Sequence, residues 1–97
     1  MPVGGFLGTK GRTIRSALFA LKSFPSALPH SRWGVVAGKK VSKTAVGRNA
    51  VRRKFFDAVA RLPENVPVAD YLIIAHPGAE KAILEELYEQ LVSLLAS

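Results

Sequence analysis

A chain of 97 residues, 48% apolar and 22% charged, has room for one small core and the composition to fill it, which excludes a second domain and wholesale disorder. Cysteine is absent, which excludes disulfides and thiolate-held zinc or iron and suits a reducing compartment, so a cytoplasmic protein is expected. The formal charge of +7 is unevenly spread: residues 1–56 hold twelve of the fourteen basic residues and no acid, for +12, while residues 57–97 set seven acids against Arg61 and Lys81, for −5.

Such a separation of charge predicts a positive face that draws polyanions, either nucleic acid or anionic lipid. The longest stretches free of charged residues reach about half the roughly 18 residues that a membrane helix needs, so a soluble protein is expected, with no membrane partner. The acid-free first half also has the composition of a transit segment, but its removal would leave a chain too short for a core of its own.

Residues 1–11 contain Gly4, Gly5, Gly8 and Gly11, too many for a stable helix, and predict an irregular or mobile arm reaching to about residue 13 of a single 1–97 domain. Residues 14–24 suit one strand, ended by Pro25 and Pro29 in a loop. Residues 32–41, with Trp33, Val35, Val36 and Val41, suit a second, in which Gly34 and Gly38 permit a bend. From Thr44 to Leu62 the spacing predicts a helix, capped by Ser42 or Thr44 and stopped by Pro63.

On that helix Val51, Phe55, Ala58, Val59 and Leu62 form an apolar stripe, and Arg48, Asn49, Arg52 and Arg53 form a polar stripe beside it. The run Tyr71, Leu72, Ile73, Ile74, Ala75 within residues 70–76 predicts a strand buried on both faces. Residues 80–96 repeat Ile83, Leu84, Leu87, Tyr88, Leu91, Leu94 and Leu95 at helical spacing, with Glu85, Glu86 and Glu89 facing solvent. The order strand, strand, helix, strand, helix makes the fold class α+β, a small sandwich of one sheet and packed helices.

The inventory for protein catalysis is thin. His30 lies in a Pro-rich loop and His76 before Pro77, neither with a carboxylate next to it, and no phosphate-cradling or dinucleotide glycine motif occurs. No catalytic residue and no metal ligand is therefore expected. Between Lys39 and Lys54, by contrast, seven of sixteen residues are cationic and none is acidic. Arginine forks take phosphates bidentately, lysines act as point charges, and Asn49 can donate and accept toward a sugar or base edge. A lipid surface would instead need bulky apolar side chains opposite the cations, and here those are committed to the core.

The run Lys39-Lys40-Val41-Ser42-Lys43-Thr44-Ala45-Val46-Gly47-Arg48-Asn49-Ala50-Val51-Arg52-Arg53 resembles the signature of the bacterial ribonuclease P protein component. The likeness extends through Arg32-Trp33-Gly34-Val35-Val36, Asp70-Tyr71-Leu72-Ile73-Ile74-Ala75 and the last helix, covering about residues 16–95. It implies a mixed sheet with a left-handed βαβ crossover, as in certain ribosomal-protein domains. It also implies an accessory subunit of a ribonucleoprotein endoribonuclease whose RNA, with Mg²⁺, hydrolyses the 5′ leader from precursor tRNA.

By the same resemblance Lys39, Lys40, Lys43, Arg48, Asn49, Arg52 and Arg53 contact ribonuclease P RNA, and the single-stranded leader of precursor tRNA follows a sheet-and-helix cleft. The aromatic candidates for the leader are Phe19, Trp33 and Phe56. No obligate protein partner is implied. The alternative is a ribosomal or ribosome-assembly RNA-binding protein of the same architecture. Two departures from the family pattern stand out: a glycine-rich arm where members usually carry an N-terminal helix, and Phe56 where they usually carry another basic residue. Phe56 is expected to pack sideways against the core, so that Phe56→Ala would cost about 2–4 kcal/mol.

Overall fold

The computed structural model describes residues 12–64 and 66–96. In chain order they form β1 (Arg12–Arg15), β2 (Phe19–Phe24), β3 (Arg32–Val36), α1 (Ala45–Ala60), β4 (Asp70–Ala75), a 3-10 turn (Pro77–Glu80) and α2 (Leu84–Leu95). The expected arm over residues 1–11 lies outside the described residues, and Arg12 and Thr13, assigned to it, belong instead to β1.

The single strand expected over residues 14–24 is two strands of a hairpin. Ser16 makes the turn: its hydroxyl accepts from the Phe19 N–H at 3.2 Å, and its own N–H donates to the Phe19 carbonyl at 2.8 Å. A serine hydroxyl that satisfies nearby N–H groups stands in for the missing ladder partners, so no Gly or Pro is needed. β1 pairs antiparallel with β2, β2 antiparallel with β4, and β4 parallel with β3, giving a mixed sheet in the order β1-β2-β4-β3. The parallel pair is joined through α1, a βαβ crossover.

Strand register sets the two faces of the sheet, because successive side chains alternate. Phe19, Leu21, Trp33, Val35, Tyr71, Ile73 and Ala75 share the face toward the helices, where most of them are buried with Val51, Phe55, Ala58, Leu87 and Leu91. The other face carries Lys22, Phe24, Arg32, Leu72 and Ile74. β4 is therefore not buried on both sides as expected: Tyr71, Ile73 and Ala75 are buried, while Leu72 and Ile74 are only half-buried. Among the described residues the helices cover one face, and the apolar run reads as continuous because Leu72 and Ile74 fill a partly shielded second face.

Phe19 and Phe55 meet edge to face at a centroid distance of 5.2 Å, and this contact seats α1 on the sheet. At the edge of the sheet the Arg32 guanidinium donates twice to the Asp70 carboxylate, at 2.9 and 2.6 Å, and holds that carboxyl below its ordinary pKa. α2 begins later than expected, after the 3-10 turn, with the Glu86 carboxylate accepting from the Ile83 N–H at 3.2 Å.

Lys54, the last cation of the basic run, is a structural clamp. Its ammonium donates to the carbonyls of Ala79, Glu80 and Ala82 at 3.0, 3.1 and 2.5 Å, using all three of its N–H bonds on the turn that leads into α2. Burial draws its pKa down, against the opposing pull of Glu80 and Glu86. Charge-assisted bonds of this kind contribute about 1.5–3 kcal/mol. Lys54→Met is expected to lower the unfolding free energy by about that much in a urea titration. The salt dependence of polyanion binding should not change, since the Lys54 charge is spent inside the domain.

Candidate nucleic-acid interface

β3 stops at Val36, earlier than the expected residue 41, because the chain turns at Gly38: the N–H groups of Val41 and Ser42 both donate to its carbonyl, at 3.0 and 3.3 Å. The turn leaves Lys39, Lys40 and Lys43 exposed around a shallow depression that also includes Glu80, while Val41 and Ser42 are buried beneath them. Thr44 then caps α1, its hydroxyl accepting from the Gly47 N–H at 2.9 Å. Three lysines are thus held on a short link at the positive end of a helix, where backbone N–H groups add to their field.

Gly47 is what lets this link lie so close. A methyl group added there would overlap the Ser42 hydroxyl and press on the Thr44 hydroxyl at 3.0 Å. Sequence reasoning passed over it, although glycine in a first helical turn costs about 1 kcal/mol relative to alanine and so signals a packing reason. Gly47→Ala is expected to destabilise the domain by about 1–3 kcal/mol in thermal unfolding, despite the better helix propensity, and to weaken polyanion binding by displacing the lysines. A rise in the thermal midpoint would show that the link has room.

Arg48 ties the link to the helix. One guanidinium nitrogen donates to the carbonyls of Ser42 and Lys43, both at 3.2 Å, so part of its donor set serves the fold and the rest faces outward. Arg52 donates to the Asn49 side-chain oxygen, which orients that guanidinium along the helix surface and leaves the Asn49 amide free to donate. Arg53 is exposed, and its side chain makes no hydrogen bond to another described residue. All seven expected RNA-contact residues, Lys39, Lys40, Lys43, Arg48, Asn49, Arg52 and Arg53, therefore lie on one stretch made of the link and the first half of α1.

The ion pairs among the described residues are Arg32 with Asp70 and Arg61 with Glu85, so no carboxylate neutralises any cation of this stretch. Uncompensated arginines and lysines on a rigid helix suit phosphates at fixed spacing. Among the described residues no three His, Asp or Glu side chains converge as a metal cage would require, and none of their helices is long and apolar enough to cross a membrane.

The three aromatic candidates fare differently. Phe19 is wholly buried in the core against Phe55, so it offers no ring face to a base and is withdrawn. Trp33 is on the helix-covered side of β3, half-buried, its ring stacked on Tyr71 at 4.2 Å and packed at the edge of the core. Tyr71 is fixed in turn by its hydroxyl, which donates to the Pro67 carbonyl at 2.6 Å. Phe56 reverses the expectation of side-packing. It is 43% exposed, takes part in neither ring pair, and stands on the cationic stripe.

The whole described chain matches known proteins consistently. The family model for Ribonuclease P matches residues 6–97. The ribonuclease P protein component of Thermus aquaticus is 38% identical over 86 residues, which is 89% of this chain and 50% of that protein. That of Syntrophobacter fumaroxidans is 33% identical over 88 residues, 87% of this chain and 71% of the relative. The chain thus spans about half the length of the Thermus protein. In three dimensions the ribonuclease P protein of Staphylococcus aureus superposes with a TM-score of 0.79 at 19% identity, covering 96% of this chain and 84% of the other, which shows a shared fold. Family model, relatives and fold agree, and the chain belongs to the ribonuclease P protein family.

Proposed function

We propose that this chain acts as the accessory protein of ribonuclease P, binding the catalytic RNA through the link at residues 37–44 and the outward stripe of α1. The single observation that carries the reading is the run of unpaired cations from Lys39 to Arg53, fixed by the Arg48 and Thr44 contacts in a chain of this family. Catalysis then belongs to the RNA. Mg²⁺ bound to the RNA would activate water for the hydrolysis, and the protein supplies counter-charge that lets the two polyanions, catalytic RNA and precursor tRNA, approach each other.

Phe19 and Trp33 face the helices, so the leader of precursor tRNA is assigned to the opposite face of the sheet. There Arg15 and Lys22 stand on adjacent strands beside the half-buried Leu72 and Ile74. Cations next to apolar surface suit a single strand, whose backbone and unpaired bases are both accessible. A bacterial cytoplasm is the compartment in which these partners meet.

Filter binding tests the proposal. The chain is titrated against ribonuclease P RNA of its own organism and against an unrelated structured RNA of equal length, at several salt concentrations. Tighter binding to the former at every salt concentration is expected. Equal binding to both would reduce the stripe to a nonspecific polyanion surface. Preference for a ribosomal RNA fragment would favour the ribosomal alternative.

A further inference from the structure

The structure holds one exposed aromatic among the described residues, and it is in the middle of the cationic stripe. On a helical wheel with Arg48 at 0°, Phe56 falls at about 80°, between Arg52 at about 40° and Arg53 at about 140°, with Asn49 at about 100°. Helical side chains lean toward the N-terminus, so the ring lies over the preceding turn, beside Arg52 and Arg53. One turn beyond, Ala60 is small and exposed.

Phe56 stands outside the buried core cluster of the described residues. The core stripe of the helix is filled by Val51, Phe55 and Ala58, all buried, and the ring contacts of the domain are made by other residues. Resting on the function proposed above, we infer that Phe56 is a stacking platform for one unpaired nucleobase of ribonuclease P RNA, whose flanking phosphates are taken by Arg52 and Arg53. Every base has a π-face, so the contact requires an extruded nucleotide and not a particular base. A second copy of this chain is a poor occupant, because it would bring the same cations against Arg52 and Arg53. Phe56 thereby makes the stripe sensitive to RNA structure, where cations alone read only charge.

Four variants test the inference in the full chain, with in vitro transcribed ribonuclease P RNA of the same organism as the probe: Phe56→Ala, Phe56→Leu, Phe56→Trp and, as the charge control, Arg53→Ala. Base stacking predicts that Ala and Leu each weaken binding by roughly 5- to 100-fold, that Trp retains it, and that none of the three Phe56 variants changes the slope of log affinity against log salt. The Trp variant should also gain fluorescence that is quenched when RNA binds, a readout that a structural role would not move.

If Leu binds as well as Phe, the contact is apolar packing, and the inference fails. If Ala binds as well as Phe while Arg53→Ala loses affinity and slope, the platform fails and the RNA-binding reading stands. If neither Arg53→Ala nor any Phe56 variant affects binding, or the unaltered chain does not bind this RNA, both readings fall.

Discussion

Phe55→Ala is expected to cost about 3–5 kcal/mol, the largest stability loss of any single truncation in α1, because it removes a fully buried ring and leaves a cavity. The ring is the edge-to-face partner of Phe19 at 5.2 Å, so the substitution also unseats the contact that fixes the helix on the sheet. A domain of this size has about 5–10 kcal/mol in hand, and the variant should be partly unfolded at physiological temperature. The neighbouring Phe56→Ala is expected to cost less than about 1 kcal/mol, because much of that ring already faces water. Urea titrations of the two variants side by side give the check. Equal losses would place Phe56 in the core and remove the physical basis for its exposure.

The second large effect concerns RNA affinity. The side chains of Lys40, Lys43 and Arg53 are exposed and make no hydrogen bond to another described residue, so replacing all three by alanine should leave stability within about 1 kcal/mol of the parent. Each phosphate contact contributes roughly 0.7–0.9 to the slope of log affinity against log salt, so the triple variant should lose about 2.1–2.7 units of slope. Near 0.1 M salt that is a loss of about 100-fold or more, shrinking toward molar salt.

Arg48→Ala should behave differently. Its guanidinium holds the carbonyls of Ser42 and Lys43, and its removal releases the link that carries the lysines as well as one phosphate contact. Its affinity loss should therefore exceed that of Arg53→Ala at every salt concentration, with a measurable fall in stability. Identical behaviour of the two arginine variants would mean that the link is held without Arg48.

What the sequence made legible follows from how local each signal is. α1 is readable because its cap, its apolar spacing and its stop at Pro63 all lie within the element, and Thr44 does cap it. The cationic stripe follows directly, since the helical period alone fixes which residues share a face. β1 and β2 merge in the sequence because their turn is built from the Ser16 hydroxyl, with none of the glycine or proline that usually marks a hairpin.

That merger has a consequence for Phe19. The face of a strand residue depends on counting from its own strand's pairing, and one undivided strand over residues 14–24 gives no way to place Phe19 opposite Ala75, on the helix side. The burial of Trp33 and the exposure of Phe56 are illegible locally for the same kind of reason: burial depends on what packs from elsewhere in the chain. Lys54 is the clearest case of nonlocal control, because its three carbonyl partners lie at residues 79–82 and nothing near residue 54 points to them.

The most direct measurement is single-turnover 5′ processing of precursor tRNA at low Mg²⁺, with ribonuclease P RNA alone, with this chain alone, and with both. The account predicts slow processing by the RNA, none by the protein, and a faster rate for the mixture that the Lys40, Lys43, Arg53 triple alanine variant fails to restore. Cleavage by the protein without RNA, or a mixture no faster than the RNA alone, would contradict it.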